Sequence, residues 1–142
     1  MTELLTGRCL CGAIRYQCGP LLYPPTLCHC ASCRRATAAH ALGWFTVAGG
    51  TLKFLGGAPR EFASSPEVLR SFCAACGTPL SYRHARRAAE VDLTLCSLDP
   101  ATQLAPADHI WMQDALPWDR PADGLPQHSA TRRDDPKGAN RA

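Results

Sequence analysis

Apolar and polar positions alternate over short runs along most of the chain. Almost no segment sustains the i, i+3, i+4, i+7 recurrence of an amphipathic helix. The alternation predicts strands at 8–17, 41–47, 51–55, 60–63, 69–72, 80–83, 91–96 and 109–112, each bounded by Gly, Pro, Ser or Asp. Gly49-Gly50 reads as a hairpin turn and Gly56-Gly57-Ala58-Pro59 as the next, so the middle of the chain reads as a meander. The one helical turn expected is 34–39. Residues 129–142 contain no large apolar side chain and offer nothing to bury against the entropy of ordering, which predicts a disordered tail. The expectation is one all-β domain of short antiparallel strands over residues 1–128, followed by a tail at 129–142.

A chain of 142 residues fits one domain, and nine cysteines in it need a chemical reason. A disulfide scaffold and a set of metal ligands are the two alternatives. The first residues show no basic start followed by a long apolar run, and no stretch reaches the length of a membrane span. With the odd cysteine count and the tight CxC and CxxC spacings, this favours reduced, metal-ligating thiols in a cytoplasmic protein with no membrane partner. The formal charge of +3 does not argue for nucleic acid. Seven thiolates and two Zn²⁺ would bring it to zero, and the arginines occur as short pairs rather than as a basic stripe with interleaved aromatics.

Two cysteine sets stand out. Cys9-Leu10-Cys11-Gly12 and Cys73-Ala74-Ala75-Cys76-Gly77 together supply four thiolates in two short clips, the composition of a closed, structural tetrahedral site. In an extended CxC both sulfurs point to one face, and in CxxC a following glycine provides the left-handed conformation that lets the chain leave. Such a site joins the N-terminal strand to the middle of the chain, so its loss should unfold the protein. Cys28, Cys30 and Cys33 pack three thiols into six residues and leave a fourth coordination position unfilled by the motif, the arrangement of a reactive site. Closure by Cys18, Cys96, His29, His40 or His109 is the alternative. His29, between two ligands, points away from them and reads as a neighbour of the site or a surface residue. Cys18 and Cys96 read as buried thiols, and His109 as a core histidine that could also line the site.

The ordered series G-R-C-L-C-G-A-I-R-Y, C-H-C-A-S-C-R-R, S-S-P-E-V-L-R-S-F-C-A-A-C-G-T-P-L-S-Y, V-D-L-T-L-C-S-L-D, H-I-W, L-P-W and D-G-L-P resembles the glutathione-dependent formaldehyde-activating enzyme family, also called the CENP-V/GFA domain family. The resemblance implies an Mss4-like all-β zinc fold. It also implies two Zn²⁺ per chain, a structural one on Cys9, Cys11, Cys73 and Cys76 and a catalytic one on Cys28, Cys30 and Cys33. The implied activity is that of a carbon–sulfur lyase acting on a thiol/aldehyde adduct such as S-hydroxymethylglutathione, with a glutathione-like small-molecule thiol as substrate. Arg34 and Arg35 are candidates for its carboxylates, and His29 and His40 for substrate binding or proton shuttling. Relatives carry a Gly-Ala pair and then an aromatic after the Arg-Arg, where this chain has Ala38, Ala39, His40 and Ala41, which alters the wall beside the reactive site. A non-enzymatic module with two structural zincs that mediates protein interaction is the competing reading. Exposed strand edges leave a homodimer open.

Overall fold

A computed structural model describes residues 3–132. The protein is mainly β, with ten short strands and one helix among the described residues. In chain order these are β1 (Leu5–Arg8), β2 (Arg15–Cys18), β3 (Leu21–Cys28), α1 (Ala31–Thr37), β4 (Leu42–Ala48), β5 (Lys53–Leu55), β6 (Arg60–Ser65), β7 (Val68–Phe72), β8 (Pro79–His84), β9 (Glu90–Thr94) and β10 (Asp108–Ile110). The chain divides into two compact units, Met1–Pro24 with Phe45–Leu104, and Pro25–Trp44 with Ala105–Ala142.

The first unit holds the apolar core. Ile14, Tyr16, Phe45, Val47, Leu80, Val91, Leu93, Leu95 and Leu98 are buried there together with Cys9, Cys18 and Cys73. β1, β2 and β5 make one antiparallel sheet, while β9, β8, β7 and β6 follow one another as a meander later in the chain than the one expected across 41–63. The predicted hairpin at Gly49-Gly50 is not one. Residues 49–51 form a 3₁₀ turn after which β5 pairs with β2 rather than with β4, and the glycine-rich stretch before β6 likewise leads from one sheet to another. Thr51 holds this crossing: its hydroxyl donates to Ala48 O at 2.7 Å and accepts from Gly19 N–H at 3.0 Å. The predicted strand at 8–17 is also interrupted. The chain turns at Cys9 and re-enters the sheet at Arg15, because Gly12 adopts φ +78° and Cys9 N–H closes the turn on Ile14 O at 3.0 Å.

In the second unit the strand missed by sequence reading, β3, ends at Cys28 and pairs in parallel with β10, a departure from the all-antiparallel expectation. Pro24 and Pro25 donate no backbone hydrogen bond, which is why the segment does not read as a strand in the sequence. Pro25 contributes through its carbonyl instead, accepting from Ala107 N–H at 2.8 Å. The buried side chains of this unit are largely polar: Thr26, His29, Asp108, His109 and Thr131 accompany Cys28, Cys33, Trp44 and Ile110. Asp108 accepts from Thr26 Oγ1 at 2.5 Å and from Arg132 at 2.5 and 2.9 Å. Of the segment expected to be a tail, residues 129–132 are tied in. Ala130 O accepts from Trp111 N–H at 2.8 Å, Thr131 is buried, and Arg132 holds Asp108. Residues 133–142 lie outside the described residues.

Candidate metal centres

The four-cysteine set is assembled by two turns of the first unit built on the same plan. In one, Gly12 N–H donates to Cys9 O (3.1 Å) and Ile14 N–H to Cys9 Sγ (3.3 Å). In the other, Gly77, at φ +81°, donates its N–H to Cys73 O (2.8 Å), and Cys73 N–H to Thr78 O (3.0 Å). Thr78 joins the two turns. Its hydroxyl accepts from Leu10 N–H at 3.0 Å and lies 3.2 Å from Cys76 Sγ. The four sulfurs lie within 4.8 Å of one another, with Cys9–Cys11 at 3.6 Å and Cys11–Cys73 at 3.8 Å. Tetrahedral geometry with metal–sulfur bonds of about 2.3 Å requires sulfurs about 3.8 Å apart, whereas a disulfide would need about 2 Å. The thiols are free, and the spacing is that of a metal clip. The Thr78 hydroxyl and its N–H lower the Cys76 thiol to about 5, which favours the ligating thiolate.

The three-cysteine set lies at the C-terminal end of β3 and the start of α1, entirely within the second unit. α1 begins three residues earlier than predicted, because Cys30 is its N-cap: the Cys30 sulfur accepts from Cys33 N–H at 3.3 Å and its carbonyl from Arg34 N–H at 3.0 Å. One turn of helix thereby brings the third sulfur back to the first two. All three lie within 4.8 Å of one another, and no further His, Cys, Asp or Glu joins them among the described residues. Their crowding, with Cys30 and Cys33 against Cys28 and burial added, pushes the Cys28 thiol well above its ordinary range. Three thiols so placed cannot ionise together unless a cation compensates them, so the donor set fits a metal ion. Hydrogen bonds from Cys28 and the Trp44 side chain favour the Cys33 thiolate, but Cys30 and burial outweigh them and hold its thiol above the ordinary range as well.

The other predicted site residues fall into place unequally. Arg34 is half-buried, with Nη2 donating to Asp114 O at 3.4 Å and Nε buried without a hydrogen-bond partner among the described residues. Arg35 is exposed. His40 is exposed and pairs through Nδ1 with Asp119 Oδ2 at 2.7 Å. His29 is buried, its Nε2 2.9 Å from His109 Nδ1 and its Nδ1 3.2 Å from the same Asp119 oxygen, off the direction of a hydrogen bond. Burial holds the His29 imidazole below its ordinary pKa, against the pull of Asp119. His109 Nε2 in turn meets Asp123 Oδ2 at 2.8 Å. Neither aspartate was predicted. Asp119 directly follows the L-P-W stretch and Asp123 opens D-G-L-P, and the presence of those stretches was the only signal available. Cys18 is buried as expected, its thiol raised to about 11 by desolvation, but Cys96 is exposed. β9 stops at Thr94, and in the 3₁₀ turn that follows Leu95 and Ser97 face inward while Cys96 faces out.

Fold and sites together define a mainly-β protein with two thiol clusters suited to metal ions. The family model of the glutathione-dependent formaldehyde-activating enzymes matches residues 4–114, and the chain belongs to that family. A solved structure of a Rhodobacter sphaeroides protein shares the fold with a TM-score of 0.57 at 20% identity, over 87% of this chain and 98% of that one. No curated protein matches. No helix among the described residues is long and apolar enough to cross a membrane.

Proposed function

We propose that this protein is a zinc-dependent carbon–sulfur lyase-type enzyme of the cytoplasm that makes or breaks a thiol/aldehyde adduct such as S-hydroxymethylglutathione. The observation that carries the reading is the three-sulfur cluster of Cys28, Cys30 and Cys33 with no fourth protein ligand among the described residues, beside a complete four-sulfur cluster elsewhere in the chain. An ion held by four thiolates is closed, and one held by three keeps a position for a substrate. Zinc bound there supplies a place where a substrate thiol is held as thiolate at neutral pH beside an aldehyde carbon. Three anionic sulfurs weaken its Lewis acidity, so orientation of the nucleophile outweighs polarisation of the carbonyl.

The chain's own residues supply the rest. Cys28, Cys30 and Cys33 hold the ion. Arg35, exposed on α1, is free to meet a carboxylate of an acidic thiol, while Arg34 is partly engaged by Asp114 O. His40 commits Nδ1 to Asp119, leaving Nε2 as the nitrogen that takes the proton of the thiol and returns it to the alkoxide oxygen as the carbon–sulfur bond forms. X-ray absorption at the zinc edge, with metal quantitation of the wild type and a Cys30→Ser variant, tests this. Two zincs per chain, with sulfur coordination rising on addition of glutathione in the wild type alone, is the expected result. Two zincs that ignore glutathione would leave a non-enzymatic module with two structural ions.

A further inference from the structure

Between the ligands Cys28 and Cys30 sits a side chain that the lyase chemistry does not use. His29 is 1% exposed, and both edges of its ring face polar groups. Asp123 is accept-only, so His109 Nε2–H donates to it at 2.8 Å. His109 Nδ1 lies 2.9 Å from His29 Nε2, so one of these nitrogens donates to the other, and His29 Nδ1 lies 3.2 Å from Asp119 Oδ2. Both ends of this chain are fixed. Asp123 Oδ1 accepts from Leu125 N–H at 3.0 Å, and Asp119 is held by His40. The His29 backbone is tied as well, its N–H donating to Ile110 O at 3.0 Å.

In extended backbone, residues i−1 and i+1 project to the side opposite residue i. Cys30 is extended, with φ −62° and ψ 152°, and Cys28 ends a strand. Locking the His29 ring therefore locks the direction in which the two flanking sulfurs point. An apolar side chain would fill the same volume without the desolvation penalty of a buried polar chain, whose characteristic return is a single fixed orientation.

We propose that His109 and Asp123 are positioning residues for the three-cysteine metal site, acting through His29 to hold Cys28 and Cys30 convergent. The inference rests on the metal reading of that cluster and not on the reaction assigned to it. Its test is zinc affinity, measured by chelator competition on the full chain, where the four-cysteine site is an internal control and Cys30→Ser identifies which of the two affinities belongs to the three-cysteine site. Asp123→Ala and His109→Phe should weaken the three-cysteine site by about 10- to 100-fold, the usual effect of removing an outer partner, and leave the four-cysteine site unchanged. Asp123→Asn keeps an acceptor oxygen for His109 Nε2–H and should restore the affinity to within a few-fold of wild type. Saturation with cobalt should show an altered tetrahedral absorption spectrum in the Ala and Phe variants and a wild-type spectrum in the Asn variant. Full affinity in Asp123→Ala and His109→Phe, or equal losses at both sites, overturns the positioning role while leaving the metal site standing. A wild type whose zinc content does not respond to Cys30→Ser overturns the positioning role and the proposed function together.

Discussion

Replacing Gly7 by alanine should be among the most damaging single-atom additions to the first unit. Gly7 lies directly opposite Tyr16 in the β1–β2 pair, and the tyrosine ring folds back over it. A Cβ at position 7 would fall 2.2 Å from Tyr16 Cζ and its hydroxyl oxygen and 2.6 Å from Ser97 O. Ordinary carbon contacts need about 3.5 Å, so the ring would have to withdraw by about 1.3 Å. It has nowhere to go. Tyr16 is 1% exposed in the core, its edge rests on Phe54, and its hydroxyl lies 2.8 Å from Ser97 Oγ, which also meets Thr94 Oγ1 at 2.8 Å. A withdrawal of that size breaks the Tyr16–Ser97 hydrogen bond and leaves buried hydroxyls unsatisfied, at about 1–3 kcal/mol. Overpacking the core costs about 1–3 kcal/mol more. Taken together, Gly7→Ala should lower stability by about 2–6 kcal/mol in urea denaturation of the metal-loaded protein. Tyr16→Phe, which removes the hydroxyl and keeps the ring, should cost only about 1 kcal/mol. A Gly7→Ala midpoint within about 0.5 kcal/mol of wild type would refute the reasoning, since a surface substitution would do as little.

Two further outcomes follow from single positions in the second unit. Ala38 ends α1 in the left-handed region, at φ 55° and ψ 29°, which favours glycine; Ala38→Gly should relieve about 1–2 kcal/mol of strain, return about half of that in unfolded-chain entropy, and raise the melting temperature by about 2–4 °C. Burial by itself would raise the Asp108 carboxyl, but Arg132, Thr26 and His128 hold it below its usual value, so its contribution is complete above about pH 4 and is lost as the pH falls through the folded value. Arg132→Gln should therefore cost about 2–4 kcal/mol near neutrality, with the gap to wild type narrowing in acid; a gap that is the same at pH 6 and pH 3 in denaturant titrations would rule this account out.

What could be read from the residue order was local chemistry. The two clips and the three-thiol motif were legible because each needs sulfurs at spacings that only a tight turn or a helix start can bring together, and the glycines at 12 and 77 supply the turns. The strands from β6 to β9 were legible one by one, but the meander they form, each pairing with the next, was expected earlier in the chain. The crossing at Gly49-Gly50 was not legible, because a glycine pair marks a turn without saying which strand receives the chain afterwards. β3 was hidden by its two prolines, whose missing donors matter less in a segment that accepts through Pro25 O. Least legible were Asp119 and Asp123. An aspartate in a loop punctuated by Pro and Gly is explained in full by its turn, as the bond from Leu125 N–H to Asp123 Oδ1 shows. Asp123 carries that turn bond on one carboxylate oxygen and the His109 contact on the other, so the role that reaches 14 residues back to a histidine leaves no mark on the local pattern. A site whose ligands announce themselves by spacing can thus be oriented by residues that look, one at a time, like ordinary loop punctuation, and only the folded backbone joins the two.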